Sequence, residues 1–338
     1  MHNLTIRQFK NYATKELQGI SPSPSLDVQV LLEHALKFNK TQLLLFANNE
    51  IPDDKLVWLN KAIERRKTGL PIAYITGIKE FYGYDFFVTE DVLIPKPDTE
   101  ILVEHAIQLF LEEMNASEDI RTSTTRPLNI CDMCTGSGCI GISVMKTLYS
   151  LEKIPVEKLP NITMVDISKP ALEIAKKNAA HLLPDQRILE KITFIQSDLF
   201  ENIGRQKFDF ILTNPPYIPS AMVDELLKDG RNEPRLALDG DMISENPDVK
   251  TMAPEVATVD PEALERPFAN GLSIIKKLIK SSCEHLVQNG TILMETGEYN
   301  AQATSDFAQG QGFSTEIHRD LEGQLRVVEM QLITKDHE

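Results

Sequence analysis

Phe208-Asp209-Phe210-Ile211-Leu212-Thr213-Asn214-Pro215-Pro216-Tyr217 runs an apolar segment straight into two prolines. Six residues of this kind read as a buried strand. Proline cannot donate to a strand ladder and fixes its own φ, so the pair ends the strand and stiffens the turn that follows. Open α/β sheets place their chemistry at such strand ends. The Asn214 side chain offers a carbonyl acceptor, the Pro215 backbone offers a second, and Tyr217 adds a flat apolar face with a polar tip. Two acceptors and a ring describe a clamp for a planar NH2 group. Taken alone, the same residues are also a proline-rich turn closing a strand, and the context upstream decides between the two.

Three further strand ends precede this one. Leu128 to Met133 reads as a strand, followed by the loop Cys134-Thr135-Gly136-Ser137-Gly138 and a helix from Cys139 to Leu148. Glycine at 136 and 138 lets backbone approach a ligand closely, and the helix amides face whatever the loop cradles. A glycine-rich turn alone is shared with dinucleotide folds. Asn161 to Val165 is a second strand ending in Asp166, a carboxylate placed to accept the hydroxyls of a ribose. Ser168-Lys169-Pro170 then opens a helix to Ala180. Ile192 to Gln196 is a third strand, after which Asp198 can accept from an adenine amino group and Leu199 can pack on the base. Strands alternating with helices imply an α/β fold with a parallel sheet, and the order of the loops is the one a nucleotide-type cofactor needs.

These features resemble the class I methyltransferases, Rossmann-like enzymes that use S-adenosyl-L-methionine. Asn214-Pro215-Pro216-Tyr217 resembles the NPPY signature of those that methylate planar amide or amino nitrogens. Ile94-Pro95-Lys96-Pro97-Asp98-Thr99-Glu100 resembles the IPRPETE segment of the protein-(glutamine-N5) methyltransferases of peptide-chain release factors, the PrmC/HemK family, with Lys96 for the usual arginine and Asp98 for glutamate. Lysine lacks arginine's bidentate fork. Asn232-Glu233-Pro234-Arg235-Leu236-Ala237-Leu238, Asn270-Gly271-Leu272 and Gly323-Gln324-Leu325-Arg326-Val327-Val328 match further segments of that family. One departure touches the cofactor loop, where Cys134 stands at the family's first glycine and leaves φ there in question. The resemblance implies cofactor contacts from Cys134, Thr135, Gly136, Ser137, Gly138, Asp166, Asp198, Leu199 and Asn214. It implies a substrate clamp from Asn214, Pro215, Pro216 and Tyr217, with Asn214, Pro215 and Tyr217 catalytic, and a release factor presenting Gly-Gly-Gln as the partner.

At 338 residues the chain is long enough for two domains, each with its own core. A net charge of -15 and a pI near 5.0 count against broad phosphate neutralisation and so against stable nucleic-acid binding. No apolar run reaches membrane-spanning length and the first residues lack a signal peptide's apolar core, so a cytoplasmic, membrane-free protein is expected. Cys131, Cys134 and Cys139 lie close in sequence, but no second ligand pair with zinc spacing follows, so no metal is expected.

Residues 1–75 read as a helical bundle that docks a macromolecular substrate, opened by a capping box at Thr5 and Gln8. Its fourth helix carries Lys61, Arg65, Arg66 and Lys67 on a solvated face. Residues 76–98 read as a linking β-hairpin and 99–338 as the methyltransferase domain. Expected there are a helix from Glu100 to Met114, a helix over 272–287, a strand from Thr291 to Glu295, a helix over 300–308 and a terminal hairpin. An acidic insertion without clear periodicity occupies about 240–269. An N6-adenine methyltransferase would use the same clamp on a flipped base, but charge and the Ile94–Glu100 segment argue against it. A nicotinamide-dependent dehydrogenase leaves the NPPY segment unexplained, and a non-catalytic relic leaves the intact Asn214 unexplained.

Overall fold

A computed structural model describes residues 4–119, 126–151, 154–230, 232–242 and 270–333. Most of the expected acidic insertion therefore lies outside the described residues. The chain divides into two compact units, one of Met1–Ile78 with Val88–Glu90 and Glu225–Asn232, the other of Lys79–Phe87, Asp91–Asp224 and Glu233–Glu338.

The first unit is helical: α1 (Ile6–Glu16), α2 (Pro24–Leu36), α3 (Lys40–Leu45), α4 (Asp53–Lys67) and α5 (Ile72–Thr76). Thr5 and Gln8 form the capping box at α1, and Asn39 and Gln42 form another at α3, so each pair satisfies two amides that the first turn leaves unpaired. Phe9, Leu17, Leu31, Leu32, Leu59 and Ile63 are buried between the helices, each contributing about 1.5–3 kcal/mol. The basic face of α4 differs from expectation. Arg66 is largely buried, its Nε donating to Asp27 at 2.7 Å and its Nη1 to the Gly69 and Leu70 carbonyls. Lys67 pairs with Glu16 and Glu64. A buried carboxylate on α2 needs a charge partner, and the helical period of α4 cannot reveal one that lies 39 residues away. The single turn of α5 was not anticipated either; it stops at Gly77, whose φ of 73° ends the helix.

A hairpin follows, β1 (Ile78–Phe81) and β2 (Tyr84–Phe87). Its two-residue turn has Tyr82 at φ 53° and Gly83 at φ 75°, the positive pair that matches the strand twist. Phe81 and Phe86 are buried in the second unit's core. That unit continues with α6 (Glu100–Asp119), β3 (Asn129–Met133), α7 (Cys139–Ser150), β4 (Asn161–Asp166), α8 (Lys169–Leu182), α9 (Gln186–Leu189) and β5 (Ile192–Gln196). Then come β6 (Phe208–Thr213), α10 (Ser220–Leu226), α11 (Ser273–Ser282), β7 (Leu286–Glu295), α12 (Ala301–Gly310), β8 (Phe313–Arg319) and β9 (Leu325–Leu332).

Seven strands form one sheet in the order β5-β4-β3-β6-β7-β9-β8. Those from β3 to β7 run parallel and β9 runs antiparallel to both its neighbours. Along β3, Ile130 faces a core with α6, α7 and α8, whereas Cys131 and Met133 face a second core with α11 and α12. Helices thus cover both faces, the doubly wound α/β arrangement expected of a Rossmann-like methyltransferase. Strand order reverses between β3 and β6, so the crevice above their carboxyl ends is the ligand position in such a sheet. The loop Cys134–Gly138 and the turn Asn214–Tyr217 flank that crevice.

Two helices depart most from their expected ends. The 272–287 segment stops at Ser282, and Leu286 already belongs to β7, paired with Phe208. Gln288-Asn289-Gly290, with Asn289 at φ 60°, suits an irregular strand entry better than a helix end, and the pairing slips register there. Conversely α6 runs on past Met114 to Asp119, because nothing in Asn115–Asp119 breaks a helix even though the apolar repeat has ended.

Candidate active site at the sheet switch point

The loop after β3 is held from below by Asp132. Its Oδ2 accepts from the Thr135 hydroxyl at 2.7 Å and the Gly141 amide at 3.0 Å, tying the loop to the first turn of α7. Asp132 is fully buried, and burial raises its pKa to about 6 against those two hydrogen bonds. Cys134 takes φ 60°, the left-handed conformation a glycine would adopt without strain, at a cost of about 1–2 kcal/mol for a residue with a Cβ. Cys134 thus adopts the backbone conformation that a glycine at this position favours.

Gly136, at φ 53°, has no atom within 4 Å of where a Cβ would stand, so its outer side is open. Its amide donates to Asp166 Oδ2 at 2.8 Å, and the Ser168 amide donates to Oδ1 at 2.8 Å. Burial raises the Asp166 pKa and these amides oppose the rise. The Ser137 carbonyl accepts from Asn178 Nδ2 at 2.8 Å, and the same side chain exchanges hydrogen bonds with the Phe87 backbone. An open, left-handed backbone beside a held carboxylate fits the sugar and carboxypropyl end of a nucleoside cofactor.

Asp198 and Leu199 fit that reading less simply. Asp198 Oδ2 pairs with Lys277 Nζ at 2.8 Å, so an adenine amino group would meet a carboxylate already engaged by a cation. Leu199, at φ 48°, is buried with Val165, Phe200 and Ile203, which leaves little of its side chain to cover a base.

On the other side of the crevice, Asn214 leaves β6 half-buried with Pro215 and Pro216 buried behind it. Asn214 Nδ2 donates to the Thr99 hydroxyl at 3.2 Å, so the Oδ1 atom is the end of the amide left to accept from a substrate. Thr99 also stands beside Glu295, which is buried at the end of β7. Burial raises the Glu295 pKa to about 7, opposed first by Thr99 and then by the charge of Arg326. Tyr217 approaches the same carboxylate at 3.5 Å, and burial together with Glu295 raises its own pKa. Glu295 Oε2 has no partner among the described residues.

The Tyr217 carbonyl accepts from Asn300 Nδ2 at 3.1 Å and from the Tyr299 hydroxyl at 3.3 Å. Gly271, at φ 73°, passes so near that a Cβ there would overlap this carbonyl. Ile218 exchanges backbone hydrogen bonds with Leu238 and Gly240, which brings the segment after Asn232 against the turn.

The motif segments read separately in the sequence meet here. Lys96 pairs with Glu233 at 2.6 Å, Asp98 with Arg326 at 3.1 Å, and Arg326 also with Asp320. A single amine suffices for the Lys96 contact, so the missing arginine fork costs that pair nothing in geometry. Cys131 and Cys139 pack against opposite faces of the sheet. Sequence reading quoted Thr99 and Glu295 without giving them a role, and it passed over Asn178 and Asn300. For Glu295 a signal existed, because a carboxylate at the carboxyl end of a parallel strand stands at the ligand edge.

Residues 8–77 match the family described as PrmC N-terminal domain, and residues 102–243 match that described as methyltransferase small domain. A release factor glutamine methyltransferase of Leptospira interrogans is 35% identical over 311 residues, 91% of this chain and 91% of that protein. The chain belongs to the release factor glutamine methyltransferase family. Another member, from Rhodopirellula baltica, is 32% identical and covers 92% of this chain and 90% of its own length. A bifunctional methyltransferase of Rickettsia bellii is 34% identical over 97% of this chain, which spans only 55% of that longer relative. The chain thus carries a methyltransferase domain with a helical unit before it in the sequence. No helix among the described residues is long and apolar enough to cross a membrane.

Proposed function

We propose that the chain methylates the side-chain amide nitrogen, N5, of the glutamine in the Gly-Gly-Gln loop of a peptide-chain release factor. The observation that carries this reading is the Asn214–Thr99 hydrogen bond, which orients the asparagine carbonyl as an acceptor at the crevice. An amide nitrogen is a poor nucleophile because its lone pair is delocalised, so orientation matters more than a strong base. Asn214 Oδ1 and the Pro215 carbonyl each accept one amide hydrogen and direct the lone pair, while the Tyr217 ring restrains the amide plane. When bound, S-adenosylmethionine supplies an electrophilic methyl group. Cys134, Thr135, Gly136, Ser137 and Gly138 would hold its amino-acid end, Asp166 its ribose, and Asp198 and Leu199 its base, with Asn214 between cofactor and substrate.

The reading is tested by incubating the protein with labelled S-adenosylmethionine and an intact release factor, alongside DNA and RNA. Label on the glutamine of the factor is the expected result. Label on adenine in the nucleic acids, with none on the factor, overturns it in favour of the N6-adenine reading. Asp166→Ala is expected to weaken S-adenosylmethionine binding by roughly 1–3 kcal/mol, since the ribose hydroxyls lose their acceptor. Calorimetry checks this, and an unchanged affinity would place the ribose elsewhere.

The helical residues 1–75 we assign to docking the factor, because a Gly-Gly-Gln loop alone offers too little area for a specific interface. A folded chain lacking them is expected to bind S-adenosylmethionine but to lose most methylation of the intact factor, with a short Gly-Gly-Gln peptide poor for both forms. Equal losses on factor and peptide would assign the region to support of the fold. Translation termination then sets the location, in the cytoplasm.

A further inference from the structure

Away from the crevice, α6 packs against β7, and its His105 reaches the outer end of the sheet, where β9 and the edge strand β8 pair. His105 on α6 and His318 on β8 bring their rings to a centroid separation of 4.1 Å. His318 Nε2 lies 2.9 Å from Glu329 Oε2 on β9. One ligand atom from each of the three residues falls within 4.8 Å of the others, and all three side chains are half-buried. We propose that His105, His318 and Glu329 form a binding site for a divalent transition-metal cation of the zinc type.

Three arguments carry the assignment. The donor set is two imidazoles and one carboxylate, which suits zinc and its borderline neighbours and leaves a fourth position for water. Tetrahedral ligands at zinc bond lengths stand about 3.3 Å apart, so the His318–Glu329 pair at 2.9 Å is near that spacing, and the His105 ligand atom, within 4.8 Å, has to draw closer to complete it. Further carboxylates also stand nearby. Glu316 stands directly opposite Glu329 in the β8–β9 register, a like-charge pair that is unfavourable without a cation between or beside it. Burial and then His318 lower the His105 pKa, against the nearby negative charge of Glu329, Glu104 and Glu316. An ion pair between His318 and Glu329 would account for two of the residues and give His105 no part.

A bound cation would replace the proton shared by His318 and Glu329 and would fasten α6 to β8 and β9. That link is useful to the crevice. The helix starts directly after Thr99, and β9 carries Arg326, the partner of Asp98. The cation would therefore act as a clasp on the support of Asn214, remote from the reacting atoms.

The test is calorimetric titration of chelator-treated, reduced protein with zinc chloride, for wild type, His105→Gln and His318→Gln, with circular dichroism to confirm that each is folded. One saturable site in wild type, at least tenfold weaker in both variants, is expected, together with a rise in wild-type melting temperature that the variants lack. Cobalt substitution of the wild-type protein gives a reading independent of any variant. Visible d–d bands without a near-ultraviolet thiolate band are expected for nitrogen and oxygen ligands. Absence of saturable binding, equal binding by all three proteins, or a thiolate band that places the ion on cysteine would each overturn the assignment.

Discussion

Asn214→Ala is expected to slow methyl transfer by about 30-fold to 1,000-fold, the equivalent of roughly 2–4 kcal/mol for one positioned polar group. Cofactor affinity should change far less. The side chain removed is the proposed acceptor for the substrate, whereas the proposed cofactor contacts are the loop after β3 and Asp166, which that loop's own amide holds in place. Substrate KM should rise only modestly, since the lost hydrogen bond matters most when the nitrogen gives up its conjugation. Single-turnover rates with labelled S-adenosylmethionine, beside calorimetry with the cofactor, separate these quantities. A variant within a few-fold of wild-type turnover would mean that Asn214 does not orient the amide. Thr99→Val offers a companion measurement, because it leaves Asn214 present but removes the hydroxyl that fixes its rotamer.

The parallel strands were the most legible part of the chain. β5 and β6 begin and end where the sequence placed them. β6 is buried along its whole length, so it reads as an unbroken apolar run between residues that cannot continue it. Edges of helices were less legible for a stated reason. Asn115–Asp119 carry no breaker although their apolar repeat is over, and Leu286 joins β7 because Phe208 is there to pair with it. The crevice shows the same division. Asp166, Gly136, Asp198 and Asn214 stand at strand ends, which a local pattern shows. Their supports do not show in it, because Thr99 lies 115 residues from Asn214 and Lys277 lies 79 residues from Asp198. Neither distance leaves a trace in a local pattern. Arg66 makes the point in reverse, since its position on a charged helical face concealed a buried partner on another helix.

Glu295→Gln is expected to remove an acid limb from the pH dependence of turnover. In wild type the amide of Asn214 donates to Thr99, and an ionised Glu295 beside Thr99 draws the Thr99 hydroxyl proton toward itself, which gives the chain one direction. Protonated, Glu295 can donate to Thr99 instead. The Thr99 proton is then free to turn toward Asn214, which can swing its amide and take Oδ1 away from the substrate. With the carboxyl titrating at about 7, turnover should fall as pH drops below that value, by up to tenfold per unit for a single proton. Glutamine cannot titrate, and its carbonyl can accept from Thr99 at every pH, so the variant should be flat where wild type declines. Stability gives an independent reading of the same group. Its folded pKa lies above the ordinary 4.5, so the proton is held more tightly in the folded state. The resulting stabilisation is complete below about 4.5 and is lost as pH rises to about 7, after which the buried charge persists as a cost on the order of 3 kcal/mol. Denaturant titrations should therefore find Glu295→Gln more stable than wild type at pH 8, with the advantage shrinking toward pH 5. Should the variant keep the wild-type acid limb, the titrating group would lie elsewhere in the crevice, with buried Asp132, near 6, the next to replace.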